Sequence, residues 1–169
     1  MVFCDLNIVL LGEDGKRTPD VELDRLASEL VRLNITHVCL TTCVKGRSIP
    51  STLSAQIPQS LLNRYASKIK FYSRITILLD DASQNVGIST NPLVQQFDIV
   101  ALCPCTERAL QVACSSLDLD IICLNLAGGR LDFPLRNSII GEAIQRGIHF
   151  EISYSSAIRD SGYRRNLFG

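Results

Sequence analysis

The sequence predicts an α/β protein with a parallel sheet, in which strands and helices alternate along the whole chain. Short apolar runs recur six times, each too short for a periodic helix and each bounded by polar or turn-forming residues. Segments with helical apolar periodicity lie between these runs. The run at 75–79 is β-branched or apolar at nearly every position and does not alternate with polar residues. That pattern is typical of a central strand covered on both faces.

The six apolar runs give the positions of the predicted strands along the chain. They lie at 5–11, 37–42, 75–79, 98–103, 120–126 and 148–154. Arg74 stands at the start of the third strand and Asp80-Asp81 at its end, so charge is expected only at its two rims. Helices between consecutive strands favour a parallel sheet with right-handed crossovers. Because no repeat, low-complexity tract or linker interrupts the sequence, a single domain over 1–169 is predicted.

The helices are predicted from apolar spacing and from end signals. The first, at 21–33, is marked by leucines three and four residues apart: Leu23, Leu26, Leu30 and Leu33. Asn34 should close it. Thr106 is the expected N-cap of a later helix, with Glu107 in the first turn, where a carboxylate favours the positive end of the helix dipole. The remaining helices are expected to start near Pro58 and to cover 92–96, 137–146 and 158–169.

Composition places the chain among ordinary globular proteins. It has 169 residues, 46% apolar and 20% charged. No apolar run approaches the roughly 18 residues of a membrane span, and the N-terminus lacks the pattern of a secretory signal. The seven cysteines are an odd number without an export signal, which favours reduced thiols in a cytosolic or nuclear setting.

The charge distribution is uneven although the formal net charge is zero. Neutrality argues against a free-standing polyanion binder. Thirteen of the seventeen basic residues are arginine, however, and six of these lie in the last forty positions. The planar guanidinium suits phosphate and carboxylate better than an ammonium group does. A solvated surface is the simpler interpretation of the same residues.

An ordered set of segments carries a family resemblance. Its members are 5–7, 35–37, 72–81, 96–101, 117–122, 147–152, 157–160 and 164–165. In this order and spacing they closely resemble the thirty-kilodalton protein subunit family of ribonuclease P and RNase MRP, over nearly the whole chain. No single segment is specific, but the ordered set is.

The resemblance implies a TIM-barrel-like fold related to polymerase-and-histidinol-phosphatase hydrolases. A full β/α barrel has eight strands and about 250 residues, and about six β/α units are predicted here. The last strands of the family barrel are therefore expected to be missing from these 169 residues.

The resemblance also implies a function. It indicates a non-catalytic subunit that supports the catalytic RNA in removing the 5′ leader of precursor tRNA and in processing precursor ribosomal RNA. The implied partners are the RNA of ribonuclease P or MRP, a small ferredoxin-like subunit and other proteins of the particle. The implied location is the nucleus, in the nucleolus. No cofactor, metal or membrane is expected.

RNA contacts are expected from arginines near the C-terminus. Arg159 follows the last predicted strand, and Arg164 and Arg165 lie about one turn further on. Such phosphate contacts position an RNA without reading its sequence, and their strength falls with salt. Arg74 lies at the opposite strand end and is expected to serve a different surface, and Arg136 and Lys70 are weaker candidates. An ion pair between Arg159 and Asp160 that fixes the loop is the alternative for that pair, and a scaffold that contacts only proteins is the alternative for the whole chain.

A metal-dependent phosphoesterase on the same barrel is the competing enzymatic hypothesis. The related hydrolases carry a His-x-His pair where this chain has Asp5-Leu6-Asn7, and only His37 and His149 are present. A multi-metal site needs more convergent ligands than these. The strongest enzyme-like feature is Asp80-Asp81 at the end of a barrel strand; capping of the following turn, or pairing with an arginine, is the alternative.

Two further motifs have a structural and a functional interpretation. Cys103-Pro104-Cys105 and the Cys39/Cys43 pair fit zinc spacing poorly, and small buried hydrophobic residues are the favoured interpretation. Gly128-Gly129-Arg130 lacks the Lys-Ser/Thr partner of a phosphate loop.

Overall fold

A computed structural model of the protein describes residues 2–47, 49–85, 87–126 and 131–168. Strands and helices alternate through these residues, and all six predicted strands are confirmed. The elements are β1 (Cys4–Leu11), α1 (Asp20–Arg32), β2 (His37–Lys45), α2 (Gln59–Tyr65), β3 (Lys70–Leu79), a 3-10 turn (Ala82–Asn85), β4 (Ile99–Pro104), α3 (Glu107–Ser115), β5 (Ile121–Leu124), α4 (Asn137–Gln145), β6 (His149–Ile152), α5 (Ser155–Arg159) and α6 (Ser161–Phe168). The strands follow one another in the sheet in sequence order, from β1 to β6.

The chain divides into two compact units. The first comprises Met1–Thr76 and Thr90–Val100, and the second comprises Ile77–Ser89 and Ala101–Gly169. Strands β3 and β4 contribute residues to both. That 1–169 is a single domain stays a prediction. No helix among the described residues has the length and apolar character needed to cross a membrane.

In the first unit, α1 and α2 cover one face of the parallel strands β1 and β2. The core here consists of Leu23, Ala27, Leu30, Val38, Leu40, Leu61 and Ile69. Asn34 ends α1 as predicted, with a left-handed φ of 59°. The amide of Ile35 then donates to the carbonyl of Leu30 at 2.9 Å, which satisfies a carbonyl that the helix leaves unpaired. Leu33, the last of the predicted stripe, is exposed because the helix has ended.

In the second unit, β5 lies between β4 and β6, and both pairings are parallel. Thr106 caps α3 as predicted: its hydroxyl accepts a hydrogen bond from the amide of Ala109 at 3.2 Å. Leu110 and Cys114 on α3 are fully buried. Gly147 ends α4 with a φ of 82°, a backbone conformation that other side chains resist.

Two predicted helices are wrong in detail. Residues 92–96 form a hydrogen-bonded turn, because the Asn91 carboxamide accepts from the amide of Leu93 at 2.9 Å and holds a local turn instead. The single helix predicted over 158–169 is two helices, α5 and α6. Asp160 separates them, because its carboxylate accepts hydrogen bonds from the amides of Gly162 and Tyr163 and caps a new helix.

Candidate nucleic-acid interface

Four described arginines of the second unit come after its strands in the chain, each on or at the start of a helix that follows a strand. Because β4, β5 and β6 run parallel, these strand ends share one edge of the sheet. Helix α3 begins after β4, α4 after β5, and α5 and α6 after β6. We call the group the arginine edge; its members are Arg108, Arg136, Arg164 and Arg165. In parallel α/β folds this edge is where ligands bind.

Arg136 holds the start of α4 against the start of α3. It occupies the N-cap position of α4, and its guanidinium pairs with the Glu107 carboxylate at 3.0 Å. The pair is largely exposed, so it contributes little to stability. It does lower the positive charge that Arg136 offers to a phosphate.

Arg164 and Arg165 lie side by side on α6 but differ in their contacts. The Arg164 guanidinium donates to the carbonyl of Ala157, on α5, at 2.9 Å, so this side chain joins the two helices. Arg165 is exposed and makes no hydrogen bond or ion pair within the described residues. Its guanidinium is therefore fully available to an anion.

The Arg159 side chain lies outside the described part of the structure, so its predicted RNA contact and its alternative pairing with Asp160 stay predictions. The Asp160 carboxylate is already used by the α6 amides. Gly128-Gly129-Arg130 also lies outside the described residues.

Arg108 was missed by the sequence analysis. It is exposed on the first turn of α3, and within the described chain it has no charged or hydrogen-bonding partner. A signal was present, because Arg108 comes two residues after the predicted N-cap Thr106. It lies outside the last forty residues, where the arginines are concentrated.

The placement of Arg74 at an exposed rim is wrong. The side chain is 0% exposed. Its Nη1 donates to the carbonyl of Leu6 at 2.7 Å, and its Nε donates to the hydroxyl of Thr76 at 3.0 Å. Leu6 lies where the pairing of β1 with β2 shifts register, between Asp5 and Ile8. The guanidinium thus satisfies an irregular strand, and none of its surface is exposed to an RNA phosphate in this structure.

Lys70 lies in the first unit, at the start of β3, and belongs to a small aromatic group. Its ammonium stands 5.0 Å from the centroid of the Tyr72 ring. That ring stacks on the imidazole of His37, with centroids 6.0 Å apart and planes 19° apart. The sequence could not show this, because the stack depends on the register of β2 against β3.

Of the enzyme-like pair Asp80-Asp81, Asp81 has a structural role. The Asp81 carboxylate accepts from the amide of Ser83 at 2.9 Å, so the predicted capping of the following turn is confirmed. Asp80 is exposed. Across the described ranges, no group of three or more His, Cys, Asp or Glu side chains converges as metal ligands do.

The cysteines are all free thiols. Cys39, Cys103 and Cys114 are buried, as the hydrophobic interpretation predicts, whereas Cys43 is half-buried and Cys105 is exposed. Burial raises the pKa of the Cys39 thiol to about 11, although the nearby Arg74 charge acts in the opposite direction. Burial likewise raises the pKa of Cys114 to about 11. These two thiols are neutral at physiological pH, and a neutral thiol is a poor nucleophile and metal ligand.

The chain is similar to known proteins over most of its length. The family model for RNase P subunit p30 matches residues 2–169. The chain is 36% identical over 168 residues to the probable ribonuclease P protein subunit 3 of Schizosaccharomyces pombe, covering 98% of this chain and 67% of that protein. It is 32% identical over 151 residues to a ribonuclease P/MRP protein subunit of Saccharomyces cerevisiae, covering 86% of this chain and 50% of the relative.

A solved structure is also similar. A chain in the cryo-EM structure of archaeal ribonuclease P with mature tRNA superposes with a TM-score of 0.66 at 15% sequence identity, over 98% of this chain and 64% of that chain. The likeness confirms the predicted fold class, a TIM-barrel-like α/β fold with six parallel strands. The chain spans between half and two thirds of the length of these three proteins.

Proposed function

Because the chain belongs to the RNase P subunit p30 family, we propose that it is a non-catalytic protein subunit of the ribonuclease P or RNase MRP ribonucleoprotein. In that role it supports the RNA that removes 5′ leaders from precursor tRNA and processes precursor ribosomal RNA. The observation that carries the proposal is the family match over residues 2–169. The particle is located in the nucleus, within the nucleolus.

The arginine edge is the surface by which the chain contacts that RNA. Its supporting feature is Arg165, an exposed guanidinium without a partner in the described structure. Arg108 has the same character. Arg164 is less available to an RNA phosphate because its guanidinium donates to the carbonyl of Ala157 on α5. The charge of Arg136 is partly neutralised by Glu107. Arg159 completes the set by its position at the end of α5.

The remaining surface serves protein partners, in keeping with the zero net charge. Those partners are a small ferredoxin-like subunit and the other proteins of the particle. A chain that binds RNA through one edge and proteins elsewhere needs no overall positive charge, since the local potential and not the net charge holds the phosphates.

The test is the salt dependence of binding between the full chain and the RNA of ribonuclease P, measured for wild type and Arg165→Glu. Each phosphate contact contributes about 0.7–0.9 to the slope of log affinity against log salt. Arg165→Glu should weaken binding severalfold at low salt and reduce the slope by about one such contact. Arg165 is the better choice than Arg164, because replacing Arg164 would also remove the bond to Ala157.

The matched control is Arg25→Glu. Arg25 is an exposed arginine on α1 that also lacks a hydrogen bond or ion pair in the described structure. The two variants change the net charge equally, so a nonspecific charge effect would lower both affinities alike. If Arg165→Glu bound RNA as wild type does, the arginine edge would not be the RNA contact, and the scaffold hypothesis would take its place.

No described feature favours the metal-dependent phosphoesterase. The described residues supply no converging ligand set, and Asp81 is engaged in capping a turn.

A further inference from the structure

We propose that His37, Tyr72 and Lys70 form a stacking site for one unpaired nucleobase of an RNA and its phosphate, separate from the arginine edge. The inference rests on the proposed function for the presence of an RNA. It adds a contact of a different chemical kind, base stacking, in the first unit, where the sequence predicts Lys70 only as a weaker RNA contact. We call it the stacking site.

The stacking site lies on the face of the strands that does not carry α1. Side chains alternate between faces along a strand. Val38 and Leu40 of β2 pack into the core against α1, so His37, one position before Val38, points to the opposite face. Tyr72 stacks on His37 and therefore shares that face. Lys70, two residues before Tyr72, also lies there.

The strand starts that hold the site are fixed by main-chain hydrogen bonds. The amide of Lys70 donates to the carbonyl of Thr36 at 2.8 Å, and the amide of Thr36 donates to the carbonyl of Phe3 at 3.1 Å. Cys4 pairs with His37 in the parallel ladder. The rings thus stand on three tied strand starts rather than on a loop, so little conformational entropy is lost when a ligand binds.

The charge at the site is positive and uncompensated. Lys70 is exposed and forms no ion pair with any described carboxylate. Lys68, two residues earlier in the chain, is also exposed and also forms no ion pair with a described carboxylate. Since Tyr72 and His37 are both partly exposed, an aromatic surface and the Lys70 ammonium meet at one place.

This combination matches an unpaired nucleotide. Aromatic side chains bind single-stranded RNA by stacking on bases, and every base offers a flat π face. A paired base hides both faces within the duplex, so stacking of this kind selects unpaired bases in loops, bulges and ends. An ammonium group is suited to a phosphate as a point charge. The site needs no particular base, because it presents rings and charge rather than a pattern of hydrogen bonds.

The experiment measures binding of the full chain to a short single-stranded oligouridylate and to the RNA of ribonuclease P. Tyr72→Leu keeps an apolar side chain and removes the ring, whereas Tyr72→Phe keeps the ring. Loss of one base–aromatic stack should weaken oligouridylate binding by roughly 5- to 150-fold in Tyr72→Leu. Tyr72→Phe should bind as wild type does. Lys70→Gln should weaken binding and lower the salt slope by about 0.7.

The outcomes separate this proposal from the proposed function. If Tyr72→Leu binds oligouridylate within about twofold of wild type, the stacking site is overturned, while a loss of ribonuclease P RNA binding in Arg165→Glu would leave the arginine edge standing. If Tyr72→Leu retains RNA affinity but no longer copurifies with a protein subunit, the site is a protein contact and the proposal fails. If Tyr72→Leu does not fold, Lys70→Gln decides alone, because that side chain is exposed.

Discussion

Replacing the buried Arg74 tests whether this residue supports the fold rather than an RNA. Arg74→Met keeps a long side chain of similar volume but removes every donor. The carbonyl of Leu6 and the hydroxyl of Thr76 then lose the hydrogen bonds that they accept at 2.7 and 3.0 Å. An unsatisfied buried polar group costs about 1–3 kcal/mol, so two such acceptors predict a loss of about 2–6 kcal/mol in the free energy of unfolding.

The assay is equilibrium unfolding in urea, followed by circular dichroism. With a slope of about 2 kcal/mol per molar urea, the midpoint should fall by about 1–3 M. The control is Arg108→Met, which removes an exposed guanidinium without a described partner and should change stability by no more than about 0.5 kcal/mol. An Arg74→Met midpoint equal to that of wild type would refute the structural role. RNA affinity per folded molecule should stay unchanged in Arg74→Met.

Two further predictions concern the second unit and the buried thiols. Arg146 donates to the carbonyl of Cys114, in the last turn of α3, at 2.7 Å and to that of Leu117, just after the helix, at 2.6 Å. Arg146→Met should therefore lower the free energy of unfolding by about 1–3 kcal/mol in a urea titration. For Cys39 and Cys114, the pKa is about 11 in the folded chain against 9.0 for an ordinary thiol. The folded state therefore holds these protons to higher pH than the unfolded state, so stability should be full below pH 9 and fall as pH rises toward 11, which thermal melting across that range would measure.

Much of the fold could be predicted because apolar patterning is a local signal. The six strands, the leucine-striped first helix and the Thr106 cap each depend on residues close in sequence. The end of α1 at Asn34 was equally local, since a residue with a short polar side chain tolerates the left-handed conformation found there.

The errors arose where local signals compete or where distant segments meet. The Asn91 carboxamide and the Asp160 carboxylate each bond to nearby amides, and this replaced an expected helix with a turn and split another in two. Arg74 was placed at a rim because charged residues are seldom buried. One of its acceptors is a main-chain carbonyl sixty-eight residues away, for which a sequence carries no signal.

The candidate sites divide in the same way. Arg164 and Arg165 could be predicted from their position after the last strand, but their unequal availability depends on the bond from Arg164 to Ala157. The His37–Tyr72 stack was invisible because it requires the register of two strands. Sequence therefore identifies which residue types a site contains more readily than which of them are free to act.

The most direct test of the central claim is affinity purification of the tagged chain from its own cells, under gentle conditions, with sequencing of the RNA that copurifies. If the chain is a subunit of the ribonucleoprotein, the RNA of ribonuclease P or of RNase MRP should be the principal RNA recovered, together with other protein subunits. Recovery of a clean protein without either RNA would contradict the account.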